Sequence, residues 1–94
     1  MVDFTLPQDL PEEFVSKIPQ QRSAVNRLMQ EGKLLNYSLS LENAKLWAVF
    51  SVESEGELHE IIQRLPLTRY MRLKFHPLTF YNNAMSIPAT FSMN

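Results

Sequence analysis

The sequence predicts an α+β domain in which one antiparallel sheet is covered on one face by two helices. Three observations favour this class. Apolar and polar residues alternate in four short stretches, as they do in half-buried strands. Apolar residues recur at helical spacing between the first and second stretches and again between the third and fourth. The length of 94 residues fits a single domain.

The first strand and the first helix are predicted in the N-terminal third of the chain. Side chains alternate over residues 2–6. A helix is expected to begin at Pro11, which is favourable at a first helical position, and to end at Gly32, where a left-handed cap is expected. Because Pro19 lies inside this segment, we expect a kink or two helical pieces that meet near Ile18.

A hairpin and a second helix are predicted in the middle of the chain. Alternation over Lys33–Leu41 and over Lys45–Val52, joined by a short polar link, indicates two paired strands. Ser54 followed three residues later by Glu57 is a capping-box signature. The helix that starts there is expected to stop at Pro66.

The fourth strand is predicted over Tyr70–Leu78, where alternation resumes. The order strand, helix, strand, strand, helix, strand is the split βαβ arrangement of ferredoxin-like domains. We assign residues 1–78 to this domain. Residues 79–94 are uncharged but rich in aromatic and large apolar side chains, so we expect this C-terminal extension to pack on its own or a partner subunit.

Composition and charge argue against several functions. The net charge of -1 lacks the basic excess that nucleic-acid binding requires. With no cysteine and two histidines, disulfides, thiol nucleophiles and a dedicated metal site are not expected. There is also no phosphate-binding glycine loop. No stretch approaches the roughly 20 apolar residues of a membrane span, and the N-terminus does not resemble a signal peptide, so we expect a cytoplasmic protein without a membrane partner.

The sheet face opposite the helices, here called the second face, has mixed polarity. Its predicted members are Asp3, Thr5, Leu34, Asn36, Ser38, Ser40, Trp47, Val49, Ser51, Tyr70, Arg72, Lys74 and His76. In water this face would expose a sizeable apolar patch, whereas a dry interface would bury unpaired charges at a large cost. We therefore predict that it meets the same face of a second copy in a dimeric α/β-barrel around a partly polar cavity.

Several motifs in the second half of the chain resemble those of the muconolactone isomerase family. They are VESEGELH at Val52–His59, LPL at Leu65–Leu67, YM at Tyr70–Met71 and PL at Pro77–Leu78. The similarity runs from about Phe4 to Leu78. It implies the ferredoxin-like dimeric α/β-barrel fold, which in that family often assembles further into higher homo-oligomers. It also implies an isomerase of aromatic catabolism that shifts a double bond in a small carboxylated lactone by proton transfer, without cofactor or metal.

Proton transfer between two carbons requires a base that takes the proton and an acid that returns it. On the second face, His76 and Asp3 are the titratable candidates for these roles. His59, at the boundary of the second helix and on the same side as Glu55, is a weaker catalytic candidate. A structural role is the alternative for each, since Asp3 could instead form a strand-to-strand ion pair and either histidine could be a surface group.

Substrate binding would use the other side chains predicted on the same face. Arg72 could hold a carboxylate through two parallel hydrogen bonds. Trp47 and Tyr70 are candidate apolar walls, and Asn36 is a further candidate for substrate contact. The ion pair that would compete with this arrangement is Asp3 with Arg72 or Lys74.

Two other functions remain open from the sequence. One is a non-catalytic module of the same fold that binds a small ligand or mediates oligomeric interactions. The other is a cofactor-free monooxygenase that oxidises an aromatic substrate in the same cavity. An enclosed pocket that contains Asp3, Arg72 and His76 would favour the enzyme, whereas mutual pairing of those groups would favour the interaction module.

Overall fold

A computed structural model describes residues 1–82 of the chain. The elements are β1 (Val2–Thr5), α1 (Glu12–Ser16), α2 (Ile18–Gln30), β2 (Leu34–Ser40), β3 (Lys45–Phe50), α3 (Glu55–Arg64) and β4 (Arg72–Phe75). A short 3-10 turn over Thr68–Tyr70 precedes β4. Most of the C-terminal extension that was expected to pack on a subunit lies outside the described residues.

The four strands form a single antiparallel sheet in the order β2-β3-β1-β4. Strands β1 and β3 are the two inner strands, and β1 pairs with both β3 and β4. Strand β2 is the edge beside β3. With helices inserted between β1 and β2 and between β3 and β4, this topology confirms the predicted ferredoxin-like fold.

The hydrophobic core lies between the sheet and the helices. Val2 and Phe4 on β1 are 1% and 2% exposed. The other buried members of their cluster come from β2, β3 and α3, namely Leu34, Ala48, Leu58 and Ile62. A smaller cluster near the start of α1 contains Leu6, Phe14 and Leu67. Alternate residues of β1 therefore fix which face of the sheet the helices cover.

The proline-interrupted segment forms two helices, as predicted. Helix α1 ends at Ser16 and α2 begins at Ile18. Pro19 lies in the first turn of α2, where its missing N–H has no intrahelical partner to lose. After α2, Gly32 adopts φ +75°, the left-handed conformation that glycine accepts without a steric penalty. The predicted left-handed cap is also confirmed.

Helix α3 begins at the predicted capping box. Ser54 Oγ accepts a hydrogen bond from the Glu57 backbone N–H at 3.1 Å. The Glu57 carboxylate in turn accepts the Glu53 backbone N–H at 2.8 Å and pairs with Lys33 Nζ, also at 2.8 Å. Because Lys33 immediately precedes β2, one carboxylate both caps α3 and joins it to the start of that strand.

A bulge in β2 reverses the expected orientation of Leu34. Leu34 pairs with Phe50, whereas Asn36 pairs with Val49, so the register shifts between these two pairs. The extra residue on β2 moves Leu34 to the helix side, where it is 3% exposed. The prediction that Leu34 lies on the second face is wrong.

The fourth strand is shorter than predicted, since it runs from Arg72 to Phe75 rather than from Tyr70 to Leu78. Tyr70 lies in the 3-10 turn and packs edge-on against Phe14, with 5.8 Å between the ring centroids. It therefore lies on the helix side, and its predicted position on the second face is wrong. Alternating residue types do not distinguish a strand from a tight turn that leads into one.

We expect Glu57 to make stability depend on pH. Its hydrogen bonds with Lys33 and with the Glu53 N–H hold the pKa of the Glu57 carboxyl below its usual value of 4.5. A lowered folded-state pKa stabilises the protein above the unfolded value, and this contribution is lost as pH falls through the folded value. Glu57→Gln should therefore be less stable than the wild type at neutral pH, and the difference should vanish in strong acid.

Urea unfolding of both proteins from neutral pH down to about pH 2 measures this difference. Glu60→Gln, at an exposed position on the same helix, is the matched control. Its difference from the wild type in unfolding free energy should not shrink in the same way as the pH falls. If the wild type remains more stable than Glu57→Gln by the same free energy across the acid range, the assigned role of Glu57 is contradicted.

Candidate functional site

The second face brings together Asp3, Trp47 and Arg72, three of the predicted site residues. Asp3 pairs across the sheet with Trp47 on β3 and with Lys74 on β4. Arg72 lies in the next row, directly opposite Thr5. Residues paired directly across antiparallel strands have their side chains on the same face, so these groups share one surface.

The Asp3 carboxylate is held by Lys45. Lys45 Nζ donates to Asp3 Oδ1 at 3.0 Å and to Thr5 Oγ1 at 2.9 Å. The Lys45 and Asp3 side chains are 33% and 26% exposed, so the pair is partly shielded from water. The expected ion pair of Asp3 with Arg72 or Lys74 is thus replaced by a diagonal pair, which a long lysine side chain can span.

The second face carries an excess of positive charge. Lys45, Arg72 and Lys74 provide three cations, against the single carboxylate of Asp3. Arg72 and Lys74 are exposed, and neither forms an ion pair or a side-chain hydrogen bond within residues 1–82. Two cations on this face are therefore free to meet an anion.

A cavity of about 440 Å³, here called the sheet-end cavity, lies where β1 begins and where β3 and β4 end. His76 is the predicted acid/base residue that lines it. The His76 N–H donates to the Met1 carbonyl at 2.7 Å, and the Met1 amino group donates to the His76 carbonyl at 2.6 Å. These two bonds anchor the backbone of His76 beside β1. Leu35, Val49 and Phe75 contribute apolar walls to the cavity.

Asn36 is linked to the sheet-end cavity through Tyr81. The Asn36 Nδ2 group donates to the Tyr81 hydroxyl, and Tyr81 lines the cavity. Asn36 is a predicted substrate contact, whereas Tyr81 is not among the residues that the sequence indicates. Tyr81 was visible only as one aromatic residue of an uncharged C-terminal segment, because the contact joins positions 45 residues apart.

The spacing along β4 determines which of its two cations on the second face, Lys74 or Arg72, is nearer to His76. Alternation places Lys74 and Arg72 on that face, two and four residues before His76. At about 3.3 Å per residue, Lys74 lies roughly 7 Å from His76 along the strand and Arg72 roughly 13 Å. Lys74 is therefore the closer cation for a small ligand in contact with His76. The sequence alone indicates this proximity, because Lys74 lies two residues before His76 and alternate residues of a strand share a face.

His59 lies outside this group. As predicted, it shares a side of α3 with Glu55, and its Nε2 is 3.6 Å from Glu55 Oε1. Its ring is perpendicular to that of Phe75 at a centroid distance of 5.5 Å. It lines a different cleft, on the helix side of the sheet, together with Arg64 and Arg69. The structure does not bring His59 into the sheet-end cavity.

Tyr70 is also separated from the second face. Its hydroxyl donates to Glu13 Oε2 at 3.1 Å and accepts from Lys17 Nζ at 3.4 Å. Arg69 lies over its ring, with 5.2 Å between the guanidinium carbon and the ring centroid. These contacts tie the 3-10 turn to the end of α1 and give Tyr70 a packing environment apart from that of His76.

A further cavity of about 290 Å³, here called the helix-side cavity, lies between α2 and the sheet. Its walls are almost entirely apolar, and its polar lining groups are Gln21, Arg22, Tyr37 and Thr68. Sequence reasoning did not identify it. The cavity depends on how far α2 covers the edge strand β2, and no local residue pattern specifies that distance.

Among residues 1–82, no group of three or more His, Cys, Asp or Glu side chains is placed to hold a metal ion. Within the same range, no helix has the length and apolar character needed to cross a bilayer.

The fold and its cavities define a class: a small ferredoxin-like α+β domain with ligand-sized cavities around one antiparallel sheet. The family model described as muconolactone delta-isomerase matches residues 1–84. The chain belongs to the muconolactone delta-isomerase family, as the sequence motifs indicated.

Relatives and a solved structure agree with this membership. Muconolactone Delta-isomerase 1 of Acinetobacter lwoffii is 32% identical over 78 residues, which cover 82% of this chain and 81% of the relative. Muconolactone Delta-isomerase of Rhodococcus opacus is 33% identical over 79 residues, with coverages of 83% and 85%. A crystal structure of muconolactone isomerase matches with a TM-score of 0.64 and 26% identity, covering 87% of this chain and 94% of that one.

We expect the Asp3–Lys45 contact to stabilise the fold measurably. Lys45→Met should lower the free energy of unfolding by about 1 kcal/mol, because it leaves the partly buried Asp3 carboxylate without its cation. Lys74→Met is the matched control on the same face and should change it by less than about 0.5 kcal/mol. Urea unfolding at neutral pH measures both values, and equal losses would contradict a specific role for Lys45.

Proposed function

We propose that this protein is a muconolactone isomerase-like enzyme. It would shift a double bond in a small anionic cyclic metabolite by acid/base proton transfer, without a cofactor. The family match over residues 1–84 carries the reaction class. The sheet-end cavity supports the location, because it combines a histidine, apolar walls and a volume suited to a small molecule, with the carboxylates of Glu53 and Glu55 also in its lining.

In this proposal His76 is the acid/base group. Its imidazole takes a proton from a carbon conjugated with the lactone carbonyl, and the electron pair passes through the conjugated system to the carbonyl oxygen. The same proton returns to a different carbon, so the double bond moves while the atomic composition stays the same. One group that reaches both carbons can perform both steps.

Asp3 is the alternative acid/base group. Its carboxylate already accepts a hydrogen bond from Lys45, so it would have to exchange that bond to act on a substrate. His76 has no side-chain ion pair or hydrogen bond within residues 1–82, which leaves its imidazole available. His59 lines another cleft and has no part in this proposal.

Lys74 and Arg72 supply the positive charge that a carboxylated substrate requires. Lys74, the nearer of the two to His76, would bind the carboxylate of a molecule held in the sheet-end cavity. Arg72 lies farther along the same strand and would mainly add to the attractive field on the second face. Trp47 and Asn36 would border the region between these cations and the cavity.

We also propose that two copies meet through their second faces in a homodimer, which can assemble further into a higher homo-oligomer. Each face contributes three cations and one carboxylate, so two faces together carry six cations and two carboxylates. Close approach of such faces is unfavourable unless anions lie between them. A carboxylated substrate would supply that compensation, which connects the proposed dimer with an anionic ligand.

One observation favours a second candidate function, a non-catalytic ligand-binding module. Lys45 donates hydrogen bonds to Asp3 and Thr5 within a single chain, an arrangement typical of groups that stabilise a fold. In that case the protein would bind a small anion without converting it. Saturable binding of muconolactone without turnover would distinguish this function from the enzyme.

Isomerisation of muconolactone by the purified protein tests the proposed reaction. We expect His76→Ala to lower kcat by at least about 100-fold, because it removes the group that transfers the proton. The unfolding midpoint should remain near that of the wild type, since His76 is exposed. His59→Ala is the matched control and should retain activity. Full activity of the His76→Ala protein would refute the assignment.

The role of Lys74 predicts a charge-dependent effect on substrate binding. Lys74→Met should raise KM for the anionic lactone by roughly tenfold and should leave KM for its neutral methyl ester nearly unchanged. Arg72→Met should have a smaller effect because of its greater distance from His76. Steady-state kinetics with both compounds measures this. Equal changes for the acid and the ester would show that Lys74 does not recognise the carboxylate.

A further inference from the structure

We propose that the helix-side cavity is a second ligand site, which binds a small ring-bearing monocarboxylate with Arg22 as its anchor. This site is separate from the sheet-end cavity and contains none of the residues assigned to proton transfer. The inference therefore stands independently of the proposed function.

The size and depth of the helix-side cavity fit a single ring. Its volume is about 290 Å³. An apolar protein cavity of about 150 Å³ is large enough to hold benzene. Phe4, Leu34 and Ala48 line it from the sheet and are 2%, 3% and 3% exposed, so part of the lining lies deep in the core. A cavity with an apolar interior favours a flat hydrocarbon ring over water.

One helix face supplies both apolar and polar contacts to this cavity. Ile18, Gln21, Arg22 and Val25 follow the helical pattern i, i+3, i+4, i+7, which places them on a single side of α2, and all four line the cavity. This arrangement places a guanidinium group beside apolar walls. A ligand with a ring and one charged group would match that combination.

The polar groups of the cavity select for an anion. Thr68 already donates to the Ile62 carbonyl at 2.6 Å, and Gln21 Oε1 accepts the Leu67 N–H at 3.0 Å. Arg22 and the Tyr37 hydroxyl form no ion pair or hydrogen bond within the described residues. No aspartate, glutamate or histidine of residues 1–82 lines the cavity. A carboxylate is therefore the group that best complements it.

The cavity also has an accessible mouth. Tyr37 and Leu39 on the helix side of β2, and Leu41 just after the strand, are 47%, 55% and 71% exposed and line the cavity. Helix α2 thus leaves part of the edge strand uncovered, and a small molecule can enter there without separating α2 from the sheet. The absence of a carboxylate or imidazole from the described lining suits recognition of the ligand rather than proton transfer.

Titration of the full-length protein with benzoate, followed by calorimetry and by amide NMR shifts, tests this site. We expect saturable binding, with the largest shifts in α2 and β2. Arg22→Met should weaken benzoate binding by about tenfold and change the binding of neutral benzyl alcohol by less than about twofold. Arg69→Met removes an arginine that lies outside the cavity and should leave benzoate binding unchanged.

Two further variants keep the test decisive. Val25→Phe, which places a larger side chain in the cavity, should abolish binding of both probes. His76→Ala should bind benzoate like the wild type, which separates this site from the proposed catalytic site. The proposal is overturned if benzoate fails to bind at millimolar concentration or if Arg22→Met and Arg69→Met weaken binding equally. It is also overturned if the shifts centre on Lys74 and His76, or if self-association of the chain excludes the ligand.

Discussion

The alternation of side chains along β1 is the constraint on which the rest of this protein depends. Val2 and Phe4 point into the helix-covered core, whereas Asp3 and Thr5 point to the second face. Because β1 is an inner strand, a slip of one residue would bury the Asp3 carboxylate beneath the helices and expose Phe4. That cost fixes the register of the neighbouring strands, and the register decides which charged groups share a surface.

The sheet thereby separates two chemically different environments. On the second face, the Asp3 carboxylate accepts a hydrogen bond from Lys45. Lys74 and Arg72 on β4 form no ion pair within residues 1–82 and lie on the same strand that ends beside His76. On the helix side, apolar packing is incomplete near the edge strand, and Arg22 lies at the resulting cavity. Of these two cavities, only the sheet-end cavity has a histidine or a carboxylate in its described lining, so the two cavities differ in the chemistry that they can support.

Family membership and site chemistry answer different questions. The match to muconolactone delta-isomerases establishes the family, and the sheet topology establishes the fold. Function depends on the side chains placed on that fold, because one fold supports many activities. The availability of His76 and Lys74 supports turnover, whereas the internal pairing of Asp3 and Lys45 would be equally useful in a protein that only binds its ligand.

The sequence by itself determined the element order and most element ends. Local rules suffice there, since the Ser54 cap and the left-handed Gly32 depend on a few neighbouring residues. Tertiary structure decided the orientation of Leu34, the position of Tyr70 and the pairing of Asp3 with Lys45, a residue 42 positions away. Tertiary structure also determined the position and shape of the sheet-end cavity and the helix-side cavity. Their walls come from segments distant in the chain, and their shapes depend on how helices and strands pack, which local periodicity does not encode.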